Sequence, residues 1–145
     1  MNRSDFEGKI RRGKYTGPGW AIWKADSPVP RADATAGAVT MLASDVYAGF
    51  YIRNAASANV TTPTAAQLVA GLPGVAVGDM VSMWVTNGTT GAADSALVTI
   101  VPGTGVTIDS NITAASQIVR TGSSRLLSFR FTNVTPGSEA VVLYM

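Results

Sequence analysis

From residue 38 onward, short apolar runs return about every ten residues, and glycine, proline or a small polar pair cuts each one off. Runs this short are poor candidates for independent helices, which need roughly 12–15 residues to be even marginal in water. Several also alternate with a period of two, which places every second side chain on one face of a strand. In Arg125–Asn133, Leu127, Phe129 and Phe131 face one way while Ser128, Arg130 and Thr132 face the other. In Asp79–Asn87, Val81, Met83 and Val85 share a side; Ser82, Trp84 and Thr86 share the opposite one, marking Trp84 as an interface or core-edge residue. Further strands are predicted at Ala38–Ala43, Val46–Arg53, Ser95–Val101, Val106–Asp109, Gln117–Arg120 and Glu139–Tyr144. Ser44-Asp45, Asn87-Gly88, Pro102-Gly103, Thr121-Gly122 and Pro136-Gly137 supply turn signals between them.

One helix interrupts this series. Thr64 followed three residues later by Gln67 makes a capping box, Ala65–Ala70 are good helix formers, and Gly71 with Pro73 stops the run. Its predicted buried face is Leu68, Val69 and Leu72. With one short helix among many strands, parallel α/β folds are disfavoured. The expected fold is all-β: an antiparallel β-sandwich, jelly-roll-like, with one short helix and an extended N-terminal arm.

Residues 1–37 read as that arm and residues 38–145 as the body. Gly8, Gly13, Gly17 and Gly19, with Pro18, Pro28 and Pro30, break any helical period in the arm, yet Tyr15, Trp20, Ile22 and Trp23 are large apolar groups within it. Leaving each in water forgoes about 1.5–3 kcal/mol, so they are expected to dock, either on this body or in a neighbouring subunit. Charge is divided along the same line. Residues 1–31 carry a net charge of +4, whereas residues 32–145 carry −2. Arg11, Arg12 and Lys14 lead the basic set. The arm thus has the charge and rings of a nucleic-acid-binding segment, but its charge is modest and interleaved with acids, which favours an acidic protein surface.

Composition narrows the chemistry. The chain has neither cysteine nor histidine, which removes disulfides, thiolate metal sites, the commonest zinc ligand and the commonest general base. Lys9, Lys14 and Lys24 all lie in the arm, a poor frame for a catalytic geometry. The acids from residue 32 onward, Asp33, Asp45, Asp79, Asp94, Asp109 and Glu139, mostly sit beside small residues at strand ends, where Asp is ordinarily a turn former. The expectation is a protein that is not an enzyme and has no cofactor or metal. Only 14% of residues are charged, a composition suited to burying part of the exterior against partners. The charged N-terminal stretch has no apolar run behind it, so it is read as neither a signal peptide nor a membrane span. Asn-x-Ser/Thr triplets at Asn59, Asn87, Asn111 and Asn133 are read as by-products of Thr-rich turns.

Several stretches resemble one group of proteins. Gly103-Thr104-Gly105-Val106-Thr107-Ile108 and Phe129-Arg130-Phe131-Thr132-Asn133-Val134 through Tyr144 look like the small all-β virion proteins of tailed bacteriophages, namely capsid decoration (cement) proteins and fibre knobs. Thr64–Ala70, Val77–Asn87 and Ala96–Ile100 extend the likeness over about residues 60–145. The resemblance implies a jelly-roll module in a homotrimer, or alternatively a dimer, with a structural role in the virion and no site motif. The expected function is a decoration protein that binds the outside of a phage head, assembled in the host cytoplasm, and bridges major capsid protein subunits. Its anchors would be Arg11, Arg12, Lys14, Tyr15, Trp20, Ile22 and Trp23, with no direct nucleic-acid or membrane partner. The alternative is the receptor-binding knob of a tail fibre or spike. A carbohydrate platform built on Trp84 with Tyr47, Tyr51 or Tyr144 is a third expectation.

Overall fold

The computed structural model describes residues 30–55, 58–91 and 96–145. The anchoring residues named for the arm, Arg11 through Trp23, lie outside the described residues. Ten strands and two helices follow in order: β1 (Arg31–Asp33), β2 (Val39–Thr40), α1 (Ala43–Ala48), β3 (Phe50–Arg53), β4 (Ala58–Thr61), α2 (Ala65–Gly71), β5 (Met80–Asn87), β6 (Val98–Val101), β7 (Val106–Ile108), β8 (Ile118–Val119), β9 (Ser124–Asn133) and β10 (Ala140–Tyr144). A 3₁₀ turn at Ala114–Gln117 precedes β8.

The strands form a six-stranded sheet, ordered β1-β3-β5-β9-β10-β7, and a four-stranded sheet, ordered β2-β4-β6-β8. From β1 to β6 the chain changes sheet at every strand. Each strand therefore lies beside the one two places earlier and runs parallel to it, in β1·β3, β3·β5, β2·β4 and β4·β6. Only later does antiparallel pairing take over, in β5·β9, β9·β10 and β6·β8, while β7 pairs parallel with β10.

This corrects the fold class expected from the sequence. The described residues are mixed α/β, with two mixed sheets and two helices among them, rather than an antiparallel jelly-roll sandwich. Parallel pairing needs a crossover connection, usually a helix. Here the facing sheet supplies it, because each return path passes through a strand of the other layer. The scarcity of helices therefore does not exclude parallel strands.

The second helix is the other correction. Ser44-Asp45, read as a turn between two strands, lies inside α1. The Asp45 carboxylate accepts the Leu42 N–H at 2.7 Å and so satisfies a donor at the helix start. Gly49, with φ of +77°, closes the helix in the left-handed region and directs the chain into β3. α2 follows its sequence signature: the Thr64 hydroxyl accepts the Gln67 N–H at 3.1 Å, and the Gln67 side chain accepts the Thr64 N–H at 2.9 Å. Gly71 has a packing role besides ending that helix. A Cβ there would stand 2.5 Å from the Ala43 Cβ, so its absence lets α2 approach α1.

One core serves both layers. Tyr51, Met83, Val85, Leu127, Phe129 and Leu143 from the six-stranded sheet meet Val60, Val98 and Ile100 from the other, with Met41, Val46, Leu68 and Leu72 closing the helical side. Leu127, Phe129 and Phe131 are fully buried, as the alternation in β9 predicts. At the end of β9 the Thr135 carbonyl accepts the Ser138 N–H at 2.9 Å across Pro136-Gly137, with Gly137 at φ of +82°. That is a type II turn, the geometry this pair suits best.

Candidate functional site

Two features stand apart from ordinary core packing: a buried charge cluster where the described chain begins, and an open apolar face on the six-stranded sheet. The cluster is built from β1, β3 and α1. Strands β1 and β3 run side by side in a register that sets Arg31 against Tyr51 and Asp33 against Arg53. In β3 the inward phase carries Tyr51 and Arg53, both at 0% exposure. An arginine has thus replaced the apolar residue that this phase calls for.

Burying a guanidinium is costly unless it is paired and its donors are met. Arg53 Nη1 donates to Asp33 Oδ1 and to the Asp33 carbonyl, each at 3.2 Å. Its Nη2 donates to the Thr35 and Gly37 carbonyls, each at 2.6 Å. The side chain thereby fastens the whole turn after β1; its Nε finds no hydrogen-bond partner among the described residues. Arg31 works from the surface side. Its Nε and Nη2 bind Asp45 in a two-point contact at 3.1 and 2.7 Å, its Nη1 reaches Asp33 Oδ2 at 3.2 Å, and its guanidinium carbon stands 5.1 Å from the Tyr51 ring centre. The Tyr51 hydroxyl donates to Asp33 Oδ2 at 3.1 Å.

Two carboxylates and two guanidiniums therefore balance in charge, and both acids are saturated with donors. Burial pushes the Asp33 carboxyl up, but hydrogen bonds from Thr35 and Tyr51 and the charge of Arg31 outweigh it and hold the group below its ordinary value. Burial, reinforced by the Asp33 carboxylate, pushes the Tyr51 hydroxyl well above the usual tyrosine range. An acid held this low, with no open side, is suited to holding structure rather than to moving protons. Among the described residues, no group of three acidic, histidine or cysteine side chains could hold a metal.

The sign of the pH dependence follows. Asp33 has a lower pKa folded than unfolded, so its contribution is present above about pH 4 and is lost as pH falls through the folded value. Tyr51 has a higher pKa folded, so its contribution is present below about pH 10 and fades at higher pH. Tyr51→Phe removes one donor that holds Asp33 down. Urea unfolding midpoints against pH are expected to show a smaller acid loss in Tyr51→Phe, because the folded value of Asp33 moves up toward the unfolded one, with a cost near neutrality of about 1–2 kcal/mol. Acid profiles that superimpose would remove Asp33 as the group responsible.

The open face lies on the outer side of the six-stranded sheet. Cross-strand register aligns Phe50, Trp84 and Leu126 in one row over β3, β5 and β9. Trp84 is 47% exposed, Leu126 41% and Met80, on the same face, 52%. Hydroxyl pairs flank the row, with Ser82 against Ser128 at 2.8 Å and Thr86 against Ser124 at 2.7 Å. Tyr144, opposite Ser128, shares this face. Tyr51 is buried beneath the sheet, and Tyr47 packs against the core. Of the three tyrosines considered as partners for a Trp84 platform, Tyr144 alone lies on its face.

Sequence reasoning assigned Arg31 to the arm, read Asp33 and Asp45 as turn formers, weighed Tyr51 only as part of a Trp84 platform, and passed over Arg53. The available signal was an arginine in phase with Tyr51 inside an apolar strand. Residues 31–33, within the stretch read as arm, form the edge strand β1. A truncation meant to remove only the arm must therefore stop before Arg31.

Among the described residues no helix is long and apolar enough to cross a membrane. Comparison with protein-family models, with characterised proteins and with solved structures finds no match to this chain. The likeness to phage virion proteins accordingly rests on the sequence words quoted above.

Proposed function

We propose that this chain is a virion structural protein of the decoration or cement type, a non-enzymatic part that binds the outside of a phage head and uses its N-terminal arm to bridge major capsid protein subunits. The observation that carries the reading is the charge cluster at the arm's root. A strand of three residues at a sheet edge would peel away under load. Arg31 and Arg53 fasten it to α1, to β3 and to the turn at 34–37, so tension on the preceding segment passes into the body. Contacts made only on the assembled lattice stabilise a shell by mass action. Arg11, Arg12 and Lys14 would supply attraction to an acidic seam, and Tyr15, Trp20, Ile22 and Trp23 the apolar anchors. Self-association of the bodies, as a trimer or a dimer, belongs to the same proposal.

The test is binding of the full-length protein to emptied phage heads. Saturable binding in a simple ratio to the capsid subunit, lost when Arg11, Arg12 and Lys14 are replaced by alanine, is the expected result. Exposed Trp84 and half-buried Tyr144 on one face of the sheet favour one second reading, a receptor-binding knob that stacks host glycans. Retention on cell-surface glycans without binding to heads would transfer the assignment to the knob, and Trp84→Ala would then abolish retention.

A further inference from the structure

We infer that in the free protein the segment carrying Tyr15, Trp20, Ile22 and Trp23 folds back over the Phe50–Trp84–Leu126 row of its own body. This goes beyond the assembly role, concerns the molecule before any partner is met, and does not depend on the identity of that partner.

The argument starts from the face. Three large side chains on it, Met80, Trp84 and Leu126, are 41–52% exposed, with Trp84 and Leu126 side by side and Met80 beyond the Ser82–Ser128 pair, and large apolar groups gathered on one face in this way mark a contact surface. Its hydroxyls are already spent on one another in the Ser82–Ser128 and Thr86–Ser124 pairs. Charge enters the face only at Arg130, beside Met80 and Val142. An occupant with rings and aliphatic groups satisfies such a surface; a polyanion or a strongly charged peptide does not.

The point at which the remaining chain joins the body selects the occupant. Residues 1–29 lie outside the described residues and lead into β1, the edge strand of this same sheet. Register sets Arg31 level with Tyr51, Val85 and Arg125. One position earlier is the level of Phe50, Trp84 and Leu126, so residue 30 enters the sheet beside the exposed row. Reach is ample. Six residues lie between Trp23 and Pro30, and the seven steps span up to about 23 Å when extended. From β1 to β9 the sheet is three strand spacings wide, about 14 Å. A tether this short gives an effective concentration on the order of millimolar, far above that of a second copy in dilute solution.

The chain's three tryptophans and lack of cysteine make the test direct. Full-length protein with Trp20→Phe and Trp23→Phe keeps apolar rings in the segment and leaves Trp84 as its single indole. A second full-length variant replaces Tyr15, Trp20, Ile22 and Trp23 with serine. Acrylamide quenching of Trp84 is expected to be about threefold weaker in the first than in the second, because a covered indole loses contact with water. Light scattering should give the same mass for both. Should the serine variant fold poorly, a cysteine pair decides independently. Ala21→Cys with Ser128→Cys is expected to oxidise within one chain much faster than Ala21→Cys with Thr99→Cys, since Thr99 lies on the outer side of the four-stranded sheet. Equal quenching in both tryptophan variants, or equal oxidation of both pairs, overturns the inference. Shielding that grows with protein concentration, with disulfides between chains, overturns it in favour of a second copy's segment.

Discussion

Arg53→Met is expected to lower stability by about 3–5 kcal/mol, the range found when one partner is removed from a buried ion pair. For a chain of 145 residues this corresponds to a fall in Tm of roughly 10 °C or more. Methionine fills much of the volume, so a cavity is not the main cost. The loss comes from what Arg53 leaves behind: Asp33 deprived of one cation, and the carbonyls of Asp33, Thr35 and Gly37 without their donor. Arg53→Lys keeps the charge yet cannot span both arms of the site, since one ammonium replaces a two-armed fork. It should fall between wild type and Arg53→Met. Combining Arg53→Met with Asp33→Asn should cost clearly less than the sum of the two single changes, because the uncompensated carboxylate is gone. Strict additivity in that cycle would mean the two residues do not act as a pair.

Local signals and distant ones fared differently in this chain. The Thr64–Gln67 capping box needs only its own four residues, and α2 forms where those residues place it. The Leu127, Phe129, Phe131 alternation and the Pro136-Gly137 turn are equally local, and both stand in the structure. Strand direction is another matter. A period of two reads the same in parallel and antiparallel strands, so nothing within β3 or β5 reports that they run together. What decides it is the alternation of the chain between layers, a property of the connections. Helix α1 was hidden for a related reason: Val46 and Tyr47 are strand formers, and the helix is held by Asp45 reaching back to Leu42 and across to Arg31. The charge cluster pairs residues up to 20 apart in sequence, through a register that no segment announces. The arm anchors, from Arg11 to Trp23, lie outside the described residues.

Asn87 carries the second large effect, and its sequence context points the wrong way. Asn87-Gly88 reads as a turn signal and Asn87-Gly88-Thr89 as part of a Thr-rich turn, yet Asn87 is fully buried. Its Nδ2 donates to the Ala96 carbonyl at 2.6 Å and to the Val119 carbonyl at 3.0 Å. Its Oδ1 accepts from the Thr89 N–H at 3.2 Å and hydroxyl at 2.6 Å. One amide thus ties the end of β5 in the six-stranded sheet to β8 in the other. Asn87→Asp preserves the shape and inverts the chemistry, for an ionised carboxylate presents a second acceptor to two carbonyls. The expected cost at neutral pH is about 3 kcal/mol or more, from the lost bonds and the buried charge. Its pH dependence should run opposite to that of Asp33. Burial against carbonyls raises the folded pKa of the new acid above its unfolded value near 3.9. The penalty is therefore absent below that unfolded value and grows until pH passes the folded one. Urea midpoints of Asn87→Asp should approach those of wild type as pH is lowered toward 4. A deficit that stays constant from pH 7 to pH 4 would mean that charge is not its cause and that the lost hydrogen bonds account for all of it.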